Sequence, residues 1–232
     1  MAKTRGSTTT ESIERRIRVA DAGQVSALLR MPARAKALYV LAHGAGAAMR
    51  HPFMASIAER LAERGIATLR YQFPYSERGA RRPDPEPILL ATVRAAIAAG
   101  REAAGRLPLL AGGKSMGGRM TSRAAAAAPL QGVRGLVFLG FPLHPAGRPG
   151  TSRAEHLARV TIPMLFVQGT RDALADVTLL APIVERLRPR TVLRVIEDAD
   201  HGFHVRKRSG RTDEQVLDEI AAAVAEWREG LA

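Results

Sequence analysis

The chain has 232 residues, no cysteine, 46% apolar and 25% charged side chains, which excludes general disorder, a disulfide framework, a thiolate metal centre and a cysteine nucleophile. No apolar run approaches the ~20 residues of a membrane span. The formal net charge is +13, but 31 of the 35 basic residues are arginine and 41 residues are alanine, a bias that GC-rich codons produce, so the charge is weak evidence for nucleic-acid binding.

Residues 1–11 are polar and basic, without the apolar stretch of a secretory signal. They read as a loose tail, with a cytoplasmic location expected. Residues 12–31 alternate around Asp21-Ala-Gly23, with Ile17, Val19, Val25, Ala27 and Leu29 as the apolar set. That pattern predicts an antiparallel hairpin.

Six short apolar runs follow: Leu38–Ala42, Ile66–Tyr71, Leu107–Ala111, Val133–Leu139, Met164–Gln168 and Val192–Ile196. They are apolar on both faces, as buried parallel strands must be. Helical spacing separates them. Phe53, Ile57 and Leu61 recur behind Pro52; Leu90, Val93 and Ile97 lie within Ile88–Arg101; Met116–Ala128 is alanine-rich. Val177–Leu187 is helical in spacing, with Pro182 expected near the true start. Val216, Ile220, Val224 and Trp227 stripe a last helix, for which Thr212 and Gln215 form a capping-box pattern. Right-handed crossovers then give one α/β domain over 12–232, a mostly parallel sheet with helices on both faces. Pro74–Pro87 and Pro142–Thr151 read as surface loops, and the spacing between Leu139 and Met164 leaves no room for a large lid domain.

Four strand ends carry chemistry. Gly113-Lys114-Ser115-Met116-Gly117 is a G-x-S-x-G pattern with an apolar strand before it and a helix after it, the setting of a nucleophile elbow. The small neighbours let strand and helix approach, and the hydroxyl sits beside a helix N-terminus that favours negative charge. A phosphate-binding loop also ends in Gly-Lys-Ser, but its first glycine would fall at Pro108. After the first parallel strand comes His43-Gly-Ala-Gly-Ala47. A dinucleotide fingerprint there fails at Met49. Small residues in this loop let backbone N–H groups approach a carbonyl, so Ala45 and Met116 are the expected oxyanion donors, and His43 is expected to orient the loop.

Asp172 follows the strand ending near Gly169 and is placed to fix a histidine tautomer; Asp176 reads as a helix cap. His201, before Gly202 in the loop after the last strand, is preferred as general base over His204, while Glu197, Asp198 and Asp200 read as solvated turn residues. Ser115, Asp172 and His201 thus occur in the order nucleophile, acid, base, each just past a strand.

These segments, with Gly112-Gly-Lys-Ser-Met-Gly-Gly-Arg119, Gly169-Thr-Arg-Asp172 and Asp200-His201-Gly-Phe203, make the chain resemble the α/β-hydrolase superfamily. The likeness is to its small single-domain, dienelactone-hydrolase-like members. More narrowly, it is to a hydrolase-like family that includes a subunit of a histone-acetyltransferase complex. The resemblance implies a serine hydrolase acting on a carboxylic ester or related acyl bond, with Ser115 as nucleophile, Asp172 as acid and His201 as base. Dienelactone hydrolases carry cysteine where this chain has Ser115, so their substrate does not transfer. No metal or organic cofactor is expected. The expected partner is a small acyl ester, and the expected state a monomer or small homo-oligomer. Phe141, Leu143 and Phe203 are the candidate pocket walls, and Lys114 is expected to pack behind the elbow. A noncatalytic scaffold on the same fold is the alternative.

Overall fold

A computed structural model describes residues 11–231. Residues 1–10, on which most of the expected tail falls, lie outside the described residues. The described residues open with β1 (Ser12–Val19) and β2 (Gly23–Arg30), the expected antiparallel hairpin, with Val19 opposite Gly23 and Ser12 opposite Arg30. Ile17, Val19, Val25, Ala27 and Leu29 are all buried, as the alternation requires.

There follow β3 (Ala37–Ala42), α1 (Pro52–Glu63), β4 (Ile66–Tyr71), the short α2 (Pro74–Glu77), α3 (Glu86–Ala104), β5 (Leu109–Lys114) and α4 (Met116–Ala127). The chain continues through β6 (Val133–Leu139), a 3-10 helix at Ser152–Arg159, β7 (Met164–Gly169), α5 (Val177–Arg186), β8 (Thr191–Ile196) and α6 (Asp213–Glu229). The eight strands form one sheet in the order β1-β2-β4-β3-β5-β6-β7-β8. β2 joins β4 antiparallel, and every pair from β4 to β8 is parallel.

Side chains of the central strands alternate between two apolar layers. Leu38, Val40 and Ala42 face the layer holding Val93, Ile97, Met120 and Leu180; Tyr39 and Leu41 face the layer holding Met54, Ile57, Leu61, Val216 and Ile220. Helices α3, α4 and α5 therefore cover one face, and α1 and α6 the other. The Thr212 hydroxyl accepts the Gln215 N–H at 3.2 Å and the Gln215 side chain accepts the Thr212 N–H at 2.9 Å, so the capping box is present.

Helix α5 begins earlier than Pro182 suggested. Asp176 caps it, accepting from the Thr178 N–H at 2.8 Å, and the Asp176 carbonyl accepts from Leu179 and Leu180. The proline removes one ladder bond from inside the helix, which the cap and the burial of Leu180, Ile183 and Val184 offset. Residues 140–163, between β6 and β7, hold loops and the 3-10 helix rather than a lid domain. No helix among the described residues is long and apolar enough to cross a membrane.

Candidate active site

Parallel strands end on the same edge of the sheet, so the loops after β5, β7 and β8 meet there. Ser115 is the one residue between β5 and α4, at φ 49°. An L-residue avoids that region unless its surroundings enforce it. The enforcement comes from close backbone contacts. A β-carbon on Gly113 would lie 2.2 Å from the Ala42 carbonyl oxygen, and one on Gly117 would lie 2.6 Å from the His43 carbonyl oxygen. Only glycine permits this approach of β5 and α4 to β3.

His201 Nε2 lies 2.9 Å from Ser115 Oγ, and His201 Nδ1 lies 2.7 Å from Asp172 Oδ2. An ionised carboxylate only accepts, so Nδ1–H donates to Asp172 and Nε2 is left to accept the serine proton. Asp172 is itself held. Its Oδ2 accepts from Gln168 Nε2 at 2.5 Å and its Oδ1 from the Leu174 N–H at 2.7 Å. The Asp172 side chain is 1% exposed and that of His201 26%, so the carboxylate is sealed while the imidazole reaches solvent.

Residues 35–229 match the alpha/beta hydrolase domain family. The chain belongs to that family.

Similar solved hydrolase structures include an α/β serine hydrolase without a lid from Xanthomonas campestris, at 22% identity and TM-score 0.73 over 94% of this chain and 95% of that one. An α/β serine hydrolase homologue from Coxiella burnetii aligns at 18% identity and TM-score 0.71, over 94% and 97% of the two chains. A dienelactone hydrolase from Anabaena variabilis aligns at 22% identity and TM-score 0.71, again over 94% and 97%. These likenesses show the fold.

In this α/β-hydrolase, Ser115 and His201 border a cavity of about 370 Å³. Gly44, Ala45 and Ala47 line it together with the first turns of α1 and α6, Lys114, and Gly202 to His204 of the loop after β8. Ala45 is exposed at the cavity. Met116 is the first residue of α4, where a backbone N–H has no intrahelical acceptor. His43 is fully buried; its Nδ1 lies 2.8 Å from the Gly44 carbonyl, and its Nε2 accepts the Phe73 N–H at 3.2 Å. Burial pushes its pKa down to about 4, so it is a neutral strut behind the loop.

Of the three expected pocket walls, only Phe203 lines the cavity, stacked on Phe53 at 5.8 Å between ring centres. Phe141 and Leu143 are wholly buried in the other apolar layer; Phe141 packs edge-on against Phe138 and Phe166. The loop after β6 turns inward there, which proximity to a strand end does not reveal. Asp198 is another correction. It is 9% exposed, and its carboxylate accepts the Arg206 N–H and pairs with the Arg206 guanidinium. Asp200 accepts the N–H groups of Gly202 and His204 and so shapes the base loop.

His204 pairs with Asp213 at 2.7 Å rather than with Ser115 or Asp172, and its side chain, 70% exposed, borders the same cavity. Gln168 escaped the sequence reading, although a lone amide directly after the apolar run Met164–Val167 was its signal. Phe53 was read as part of a helix stripe, and Met54 and Leu217, which also line the cavity, were not singled out; nothing in the spacing marks any of the three as a cavity wall. Among the described residues no group of three or more His, Asp or Glu side chains is arranged to hold a metal ion.

Proposed function

We propose that this α/β-hydrolase cleaves a carboxylic ester through an acyl-enzyme. The observation that carries the reading is the continuous path Ser115 Oγ–His201–Asp172, at 2.9 and 2.7 Å, opening on a cavity. Ser115 Oγ attacks the ester carbonyl carbon while its proton passes to His201 Nε2. The carbonyl π-electrons move onto oxygen, and the N–H groups of Met116 and Ala45 hold that oxyanion. Collapse expels the alcohol, which takes the proton from His201. Water, deprotonated by the same nitrogen, then releases the acid and restores Ser115. Asp172, oriented by Gln168 and Leu174, fixes the ring and stabilises the imidazolium.

Cavity size and composition bear on the substrate. A volume near 370 Å³ walled by Pro52, Phe53, Met54, Phe203 and Leu217 suits a small apolar acyl or alcohol group. The test is a chain-length series of p-nitrophenyl esters with Ser115→Ala as control, together with a fluorophosphonate probe. We expect turnover and labelling of Ser115 in the wild type alone. An unlabelled wild type, inert toward every ester, would establish the scaffold reading instead.

A further inference from the structure

Lys114 does not simply pack behind the elbow. Its Nζ donates to the carbonyl oxygen of His201 at 2.6 Å, spanning 87 positions of sequence. The ammonium lies 5.4 Å from the Phe203 ring centre and 5.9 Å from that of Phe53, within cation–π range of both. Gly140 makes room for it. A β-carbon at that position would lie 3.0 Å from Lys114 Nζ, 3.5 Å from Asp172 Oδ2 and 3.6 Å from His201 Cε1. The ammonium, the acid and the base therefore converge on one point at the end of β6.

We infer that Lys114 is a positioning residue for His201: its ammonium clamps the backbone of the base loop to the nucleophile strand, and so holds the imidazole between Ser115 and Asp172. This inference rests on the ester-hydrolase reading for its kinetic arm only. A charge-assisted hydrogen bond is roughly twice as strong as a neutral one. The loop needs such a tie because Phe203, two residues on, sits at φ 66°, where an aromatic residue is held only by its surroundings. The clamp joins the two segments whose separation sets the Ser115–His201 distance.

The clamp is sensitive to pH. Burial pushes the Lys114 pKa down to about 8, against the opposing pull of Asp172 and Asp200. The charged or titratable groups facing it are Asp172 from the loop after β7, and Asp200 and His201 from the loop after β8. α1 offers it the uncharged Phe53 ring and, along the same cavity, His51; α6 adds Asp213, already paired with His204, and Glu214, paired with Arg60. As pH rises through about 8 the ammonium loses its proton and the tie weakens.

The test has two arms. In the first, kcat and KM for p-nitrophenyl acetate are followed from pH 5 to 10 in the wild type and in Lys114→Met. We expect the wild-type kcat to fall above pH 8. The variant should lose about 10- to 100-fold in kcat, the scale of a ~1 Å misplacement, with KM changed less than threefold and the alkaline fall absent. In the second, the His201 Cε1 resonance is titrated by NMR, which needs no turnover. The wild type should show an inflection near pH 8 that Lys114→Met lacks. A variant with wild-type kcat and the same pH profile, or one whose His201 Cε1 resonance follows the wild-type curve across the whole range, overturns the inference. A wild type that hydrolyses no ester and takes no fluorophosphonate overturns the ester reading, and the resonance then decides the role of Lys114.

Discussion

Gly113 lies against Ala42 so closely that a β-carbon on it would meet the Ala42 carbonyl oxygen at 2.2 Å. Backbone, not a flexible side chain, is what it would strike. Gly113 also holds φ 151°, a conformation L-residues rarely adopt. Gly113→Ala must therefore push β3 and β5 apart. A destabilisation of about 3 kcal/mol or more is expected, read as a lower urea midpoint. A midpoint within error of wild type would mean the elbow is looser than this contact implies.

Ser115→Ala removes a hydroxyl that accepts no structural load, and alanine occupies φ 49° no worse than serine. Ester turnover should fall by about 10³-fold or more, while the melting temperature moves by a degree or two. Turnover near wild type would point to another nucleophile.

His201→Ala and His204→Ala should part sharply. The first removes the ring between Ser115 and Asp172 and should cost about 10³-fold or more in kcat/KM. The second removes an exposed partner of Asp213 and should cost a few-fold at most. The reverse order would move the base.

Asp172→Asn should keep the fold but disturb the tautomer, cutting kcat by orders of magnitude. Gln168 sharpens this expectation. Its amide already donates to the same oxygen as His201, so an asparagine NH₂ turned that way would face two donors. Asp176→Asn should be nearly silent, because asparagine caps a helix about as well as aspartate. Equal losses at both positions would reassign the acid.

Acid should weaken the fold through two buried histidines. Burial pushes both His43 and His156 down to about 4; flanking arginines add to the effect at His156. Between pH 6.5 and 4 the unfolded chain binds protons that the folded chain refuses, so stability falls as pH falls through that window. A shift of this size amounts to about 3 kcal/mol for the fully buried His43, and to less for His156, whose surroundings are more open to solvent. His156 donates to or accepts from Ser122 Oγ at 2.7 Å, so His156→Gln keeps a polar partner while removing the titration. Urea midpoints at pH 7 and 4.5 should differ less in the variant than in the wild type. An equal difference would locate the acid sensitivity elsewhere.

The strand runs were legible because burial on both faces leaves an unbroken apolar stretch, and Ile66–Tyr71 and Val133–Leu139 match to the residue. Strand β5 was displaced, from Leu107–Ala111 to Leu109–Lys114. Glycine and lysine look like loop residues, yet Gly112 and Gly113 are strand residues pressed between β3 and β6. The positions of Ser115, Asp172 and His201 were legible because each follows a strand, and parallel strands end together. Whether a loop side chain turns into the cavity or under the sheet follows from packing alone. That is why proximity to a strand end did not separate Phe203, which lines the cavity, from Phe141 and Leu143, which pack in the other apolar layer, and why the reach of Lys114 to a carbonyl 87 positions away left no mark in the sequence.

Among the described residues the sheet order puts β8 at an edge, paired with β7 alone, and β8 carries the loop that holds His201. Ser115 hangs from β5, braced by strands on both sides. Ser115 and His201, the partners of the proposed proton transfer, thus belong to regions of unequal local stability. Edge strands open at lower free energy than the global transition. Partial release of β8 would separate base from nucleophile while the remaining sheet stayed intact. On heating or in mild denaturant, the proposed activity and the fold then have different thresholds, and the weaker of the two is set by a single edge.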